Sequence, residues 1–332
     1  MKASVIIPTR NRAEVLSVAL KSLTLQGLAK EVFEVVVVDN GSTDATEEVA
    51  DAYAKQLQLT YVSAPEPGLH VGRHAGLNRA RSDILMFADD DIEALPSWVE
   101  AVVDTFKDPG VALVGGNNYP GFEQPPPAWL ACWWERPVYK GRAMGSLSIL
   151  DFGDGVFDIS PGYVWGCNFS IRRDVLLRAG GFHPDGVPKE RLRYRGDGET
   201  HVSDVVSASG MRAVFNSAAS VRHQVSRSRM TKAYFEQRGF AQGISDSFTL
   251  IRRCGGAAIP LSQQVRRKLA PLRSVFGSKW RSLVAAGDSV EQERLDVERA
   301  MSVAYWKGYE FHRREVLADS ELLKWVLQES YL

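Results

Sequence analysis

Cysteine is scarce in this chain: Cys132, Cys167 and Cys254 are odd in number, widely spaced and in no metal-like pairing. That excludes a disulfide framework and a cysteine zinc site, and it suits free structural thiols in a reducing compartment. Long apolar runs are missing too, since no stretch approaches the roughly 18 residues of a membrane span. The apolar run after Met1-Lys2 is too brief for a secretory leader. A cytoplasmic protein is therefore expected. No internal repeat is found, which sets solenoids aside. Neither charge sign is in excess overall, with 40 Lys/Arg against 40 Asp/Glu. The balance is local rather than uniform, because residues 222–281 hold thirteen Lys/Arg and two Asp/Glu, so something anionic is expected near that stretch.

What is present is a chain of 332 residues with 45% hydrophobic and 24% charged residues, enough to bury a full core. Up to about residue 117, short continuous apolar runs alternate with segments of helical spacing. The runs cover 3–7, 33–38, 59–62, 84–88 and 111–114. Val15, Leu16, Ala19 and Leu23 form one helical stripe between them, and Val49, Tyr53 and Leu57 another. This is the pattern of a parallel sheet with crossover helices, a doubly wound, mostly parallel α/β fold. From 119 to 165 the texture turns to Gly, Pro and aromatics, and a long irregular covering segment is expected. Trp129, Trp133 and Trp134 in it suit either an acceptor wall or a packed aromatic plug. Val297, Met301, Ala304, Tyr305, Gly308 and Phe311 lie on one helical face, which predicts a C-terminal helix docked on the body. The expected division is a first half over 1–118, a second half over 119–240, and a mainly helical extension over 241–332.

Three of the first four apolar runs end in unusual polar residues: Pro8-Thr9-Arg10-Asn11-Arg12, Asp39-Asn40-Gly41-Ser42-Thr43-Asp44 and Asp89-Asp90-Asp91. The carboxyl ends of strands in a doubly wound sheet line the ligand crevice, so these segments converge. Asp39 can accept the N–H of a base, or Asp39 and Asp44 can serve the turn and the next helix start, with Ser42 or Thr43 as its cap. Three adjacent carboxylates repel one another unless a cation or hydrogen bonds offset them. Oxygen ligands suit Mg²⁺ or Mn²⁺. Residues i and i+2 of a strand face the same way, so Asp89 and Asp91 can share one ion while Asp90 points elsewhere. The bland alternative is a solvated acidic turn.

Taken with Pro67-Gly68-Leu69, Gly72-Arg73 and Ala75-Gly76-Leu77, these motifs resemble the family 2 inverting glycosyltransferases over roughly residues 3–240. The resemblance implies a GT-A fold that binds a nucleotide-diphospho-sugar. Pro8, Thr9, Arg10, Arg12, Asp39, Gly41, Arg73, Asp89 and Asp90 would hold the donor. Asp91, Asp89 and His223, the last from Val221-Arg222-His223, would hold Mn²⁺ or Mg²⁺. The stretch from Gly166-Cys167-Asn168 to Arg173 resembles an acceptor-side strand, giving Trp165 and Asn168 to the acceptor, a saccharide, glycan or lipid-linked sugar. Where the family usually reads Glu-Asp, this chain has Asp197-Gly198-Glu199-Thr200. The base is then Glu199, favoured by the Thr that follows it, or Asp197. His74 stands where Asn is common. His70, His183, His201 and His312 show no partner in sequence.

In the reaction so implied, the metal neutralises the leaving diphosphate as a Lewis acid, Arg73 and Arg10 add charge-assisted hydrogen bonds, and Glu199 takes the acceptor proton, inverting the anomeric carbon. Other readings are a sugar nucleotidyltransferase, which favours a Gly-rich phosphate loop after the first strand, a phosphatase-like Asp-x-Asp nucleophile, which belongs after the first strand, and a non-catalytic nucleotide-sugar-binding protein. Nucleic acid is not an expected partner, because the acidic triplet and the acidic N-terminal part repel phosphates. A basic amphipathic segment at 260–284 suits either peripheral contact with an anionic membrane surface or a packed helix with a solvated basic face.

Overall fold

A computed structural model describes residues 1–256 and 288–332. In chain order its elements begin with β1 (Ala3–Thr9), α1 (Ala13–Thr24), β2 (Phe33–Asp39), α2 (Thr46–Ala54), β3 (Leu59–Ser63), α3 (Leu69–Arg79) and β4 (Ile84–Ala88). There follow β5 (Ile92–Ala94), α4 (Trp98–Thr105), β6 (Val111–Gly115), β7 (Asn118–Phe122), α5 (Ala128–Trp134), β8 (Pro137–Val138), β9 (Gly141–Met144), β10 (Ile149–Asp151) and β11 (Val156–Asp158). The chain continues through β12 (Asn168–Arg172), α6 (Arg173–Arg178), α7 (Thr200–Ala208), β13 (Arg212–Asn216), β14 (Val221–Val225), α8 (Lys232–Arg253), α9 (Ser289–Ala318) and α10 (Ser320–Leu327).

The five apolar runs become β1, β2, β3, β4 and β6, and the main sheet has the order β11-β13-β6-β12-β4-β1-β2-β3. Strands β1 to β4, β6 and β13 run one way, while β12, between β4 and β6, and β11 at the edge run against them. β1 and β2 are buried along their whole length, which is why they read as unbroken apolar stretches. α1 presses Leu16, Ala19, Leu20 and Leu23 on one face, and α3 packs against the other through Leu77.

A second sheet, β5-β14-β7-β10-β9-β8, corrects the expectation of an irregular 119–165 segment. Its strands there are two to five residues long and broken by Pro and Gly, too short for alternation to show. The tryptophans of α5 form a plug: Trp129 and Trp133 pack on Phe235 of α8 at ring separations of 5.3 and 5.5 Å. α8 and α9 lie together so closely that a Cβ on Gly243 would stand 1.9 Å from Tyr305 O, and one on Gly308 2.0 Å from Phe240 O. These glycines let the helical extension dock. The basic 260–284 segment lies outside the described residues.

Candidate active site

Register places the first half of the site. Thr9 ends β1 directly beside Asp39 at the end of β2, and the acidic triplet follows Ala88, the last residue of β4. The turn leads into β5, where Ile92 pairs with His223 of β14, and the Gln224 N–H donates to Asp91 O at 2.8 Å. His223 is thereby carried to the triplet.

The loops after β1 and β2 clasp one another. Asn11, with φ of 53°, accepts from the Thr43 amide at 2.7 Å, and its own amide donates to Ser42 Oγ at 2.8 Å. Asp44 accepts from the Ala13 amide at 3.0 Å, at the start of α1, and from the Thr46 hydroxyl at 2.5 Å. Ser42 and Thr43 therefore serve the clasp and do not cap α2, whose side-chain cap is absent. Gly41 takes φ of 82°, the left-handed turn that lets the Ser42 amide fold back on Asp39 Oδ1 at 2.8 Å. Asp39 Oδ2 accepts from the Tyr61 hydroxyl at 2.6 Å. Burial and that carboxylate push the Tyr61 phenol well above its ordinary range.

A cleft of about 310 Å³ opens over these strand ends, lined among others by Pro8, Thr9, Arg10, Arg12, Asp89 and Asp90. Asp39, Gly41 and Arg73 are not among its lining residues. Asp90 is committed to protein contacts: it accepts from the Thr9 hydroxyl at 2.7 Å and from Arg12 at 2.5 Å. Burial pushes its carboxyl up to about 7, with Arg12 pulling the other way. Asp91 behaves oppositely. Burial raises it, but His223, Arg12 and Arg229 together hold it well below the usual carboxylate range.

Asp89, Asp91 and His223 offer ligand atoms that all lie within 4.8 Å of one another. Asp91 Oδ1 and His223 Nε2 are 3.1 Å apart, yet buried Oδ1 has no hydrogen-bond partner among the described residues. Ligand bonds of about 2.1 Å at right angles put neighbouring donor atoms about 3 Å apart, so this orphaned oxygen and its imidazole neighbour fit a small hard cation. Arg229, which sequence patterns did not single out, reaches the same place: its Nη1 is 3.3 Å from Asp91 Oδ2 and 3.4 Å from His223 Nε2. It sits in a short turn after β14 whose composition carries no motif.

The second half of the site is organised by Arg73 on α3. Its buried guanidinium lies 3.6 Å from Asp89 and 3.5 Å from Glu199, over the Phe182 ring at 5.0 Å. Gly166 makes room for it, since a Cβ there would be 2.2 Å from Arg73 Nη2. The Gly166 amide in turn donates to Glu199 Oε1 at 3.2 Å. Glu199 opens onto a further cavity of about 400 Å³ that Trp165 also lines. Glu199 and Asp89 thus face each other across Arg73, between two clefts.

Asp197 and Asn168 are not open to a ligand. Asp197 Oδ1 accepts from His183 Nδ1 at 2.6 Å, and Oδ2 from the Thr249 hydroxyl of α8 at 2.5 Å. Its side chain is 4% exposed, so it anchors the loop that carries Glu199. Asn168 is buried, accepts from Trp98 Nε1 at 2.9 Å, and donates to Asn118 Oδ1 at 3.2 Å and Ala219 O at 3.0 Å. It joins the two sheets and lacks the exposure that its expected acceptor role requires. His74, in the position where Asn is common, accepts the Phe182 amide at 2.9 Å. Cys167 is buried, and burial raises its thiol; Cys132 and Cys254 are also free.

Known proteins are similar to this chain in sequence and in fold. A validoxylamine A glucosyltransferase of Streptomyces hygroscopicus is 31% identical over 198 residues, covering 55% of this chain and 47% of that protein. The chain spans about half the length of this relative. A glucosyl-dolichyl phosphate glucuronosyltransferase of Haloferax volcanii is 26% identical over 252 residues, 74% of this chain and 76% of that one. In fold the chain is similar to a mannosyltransferase of Pyrobaculum calidifontis in complex with GDP-Man and Mn²⁺, with a TM-score of 0.54 at 21% identity over 98% of this chain and 88% of the other. The fold is the expected GT-A arrangement. Among the described residues, no helix is long and apolar enough to cross a membrane. The family model for glycosyl transferase family 2 matches residues 4–178, more than half of the sequence, and the chain belongs to that family.

Proposed function

We propose that the chain transfers a sugar from a nucleotide-diphospho-sugar to an acceptor hydroxyl in a single inverting displacement, with Glu199 as the base. The observation that carries this reading is the position of Glu199: it is held by Arg73 and the Gly166 amide on the donor side, and it opens into a second cavity on the other. Asp197 is buried under His183 and Thr249 and, unlike Glu199, does not line that cavity, so it does not compete for the role.

In the displacement, the bond between the anomeric carbon and the diphosphate oxygen breaks with its electron pair leaving on the diphosphate. The acceptor oxygen bonds the opposite face, and its proton passes to Glu199. Asp39, whose oxygens keep lone pairs beyond their bonds to the Ser42 amide and the Tyr61 hydroxyl, would accept an N–H of the nucleobase, and Thr9, Arg10 and Arg12 border the nucleotide cleft. Asp89, Asp91 and His223 would hold Mn²⁺ or Mg²⁺, which supplies positive charge against the departing diphosphate. Arg12 and Arg229, already on Asp91 at 3.0 and 3.3 Å, are cations able to turn towards phosphate oxygens. Trp165 stands on the acceptor side. A hexose as the transferred sugar and a saccharide or lipid-linked acceptor agree with the relatives' names, and peripheral attachment at a cytoplasmic membrane face fits a lipid-linked acceptor.

The test is a thermal-shift screen of UDP-, GDP- and dTDP-sugars with and without Mn²⁺, followed by release of nucleoside diphosphate in the presence of saccharide acceptors. One donor should raise the melting temperature more with metal than without, and Asp91→Asn should remove the metal-dependent part. A chain stabilised by no nucleotide-sugar defeats the transferase reading, and one that binds a donor without ever releasing nucleoside diphosphate is a binding protein.

A further inference from the structure

The cavity beyond Glu199 is lined by five serines, Ser146, Ser148, Ser160, Ser203 and Ser207, of which Ser146, Ser203 and Ser207 donate their hydroxyl protons to neighbouring protein atoms and keep lone pairs to accept. Trp165 adds an aromatic face whose orientation is fixed by its Nε1–H donating to Gly162 O at 3.0 Å. Such a wall suits a sugar ring, which presents hydroxyls at its edge and C–H groups on its faces.

Three charged side chains reach the same cavity, and their partners differ. Glu199 is held by Arg73 and the Gly166 amide. Asp204 is paired with Arg253 at 2.6 Å. Arg238 of α8 is half-buried and has neither an ion pair nor a hydrogen bond among the described residues. Its charge is felt at Asp185, but that carboxylate already pairs with Arg195 at 2.6 Å. A guanidinium partly withdrawn from water without a counterion is unfavourable, and an anionic ligand would relieve it. Its planar fork suits oxyanions in two-point contact.

We propose that Arg238 reads an anionic group carried by the acceptor, a phosphate or a carboxylate, while the serines and Trp165 hold the sugar ring bearing it. This rests on the reading that the Glu199 cavity is the acceptor side. The ligand class is therefore a sugar phosphate or an acidic sugar rather than a neutral saccharide.

The experiment is calorimetric titration of the full chain with matched probes: the 1-phosphates of glucose, mannose and galactose, their methyl uronides, and their neutral methyl glycosides. At least one anionic probe should bind about tenfold or more tightly than its neutral counterpart, the size of one charge-assisted contact. Arg238→Ala, which keeps a good helix former in α8, should erase that preference, and Arg238→Lys should keep part of it. Whether phosphate or uronide wins identifies the source of the charge. The proposal is overturned if no anionic probe outbinds its neutral counterpart, or if the preference survives Arg238→Ala and so belongs to the donor-side arginines. Nucleotide-sugar thermal shifts are read separately. A chain that binds no donor yet shows an Arg238-dependent anion preference sinks the transferase reading and supports the anion site.

Discussion

Replacing Gly166 by Ala should damage turnover far more than stability, because the added methyl reaches one side chain in particular. Its Cβ would stand 2.2 Å from Arg73 Nη2, 3.1 Å from Cζ and 3.2 Å from Nη1. Nonbonded contact needs roughly 3.5 Å, so the guanidinium must retreat by about 1 Å. Arg73 is 3% exposed and already lies over Phe182, which leaves it no open direction. Overpacking of this kind costs about 1–3 kcal/mol, a fall of a few degrees in melting temperature for a chain of this size. The retreat also takes Arg73 from Asp89 and Glu199, now at 3.6 and 3.5 Å. A misplacement of about 1 Å in a positioning group can cost around 10² in rate. Release of nucleoside diphosphate, followed beside thermal unfolding, gives both quantities. Gly27→Ala is the control, since its Cβ would meet nothing nearer than 3.8 Å. Arg73→Lys in the Gly166→Ala background should lose less than the two single changes together, because the clash is with the fork itself. Wild-type turnover in Gly166→Ala would refute the idea that Arg73 must sit where it does.

Asp197→Ala removes a buried carboxylate that receives His183 and Thr249; unfolding in urea should show the loss of roughly 1–3 kcal/mol that comes with leaving a buried donor unsatisfied, and an unchanged midpoint would deny it the anchoring role. Buried His74 and His312 have pKa values lowered to about 4 by burial, with His70 adding repulsion at His74. Both are neutral in the fold yet protonate below about 6.5 when unfolded, so stability is full above pH 6.5 and falls as the pH drops towards 4, by about 2–3 kcal/mol for each at pH 4.5. Denaturation curves at pH 7.5 and 4.5 check this, and His312→Gln should make the slope shallower; a flat profile in the wild type contradicts it. Gly243→Ala forces α8 off α9, where the Cβ would lie 1.9 Å from Tyr305 O, and should lower the melting temperature by several degrees; tolerance without loss would mean the helices separate freely.

Much of the site over the ends of β1, β2 and β4 can be read in sequence because each motif is local. The unbroken apolar runs before Thr9, Asp39 and Asp89 mark strands buried on both faces, and strands of that kind place their carboxyl ends together. The alternation of side chains along the turn after β4 separates Asp90, engaged with Thr9 and Arg12, from Asp89 and Asp91 beside His223. What sequence does not disclose is which polar residues are consumed by contacts between distant elements. Asn168 and Asp197 look like ligands from their motifs, and only the crossing of the sheets at Trp98 and of α8 at Thr249 engages them. Arg229 and Arg238 lie in the basic 222–281 stretch, but nothing in their spacing distinguishes a site arginine from a surface one. The short strands from β7 to β11 were hidden by their length, since two to five residues carry too little alternation to oppose the Pro and Gly around them.

Glu199→Gln tests most directly whether Glu199 is the base of an inverting transfer. The amide keeps the volume, can still accept from the Gly166 amide, and leaves Asp89 as counter-charge to Arg73, so the chain should still fold, at some cost in stability, and still give nucleotide-sugar thermal shifts. Turnover to nucleoside diphosphate with acceptor present should fall by roughly 10²–10⁴, the worth of a general base. Turnover near that of the wild type, with donor binding intact, would contradict the assignment.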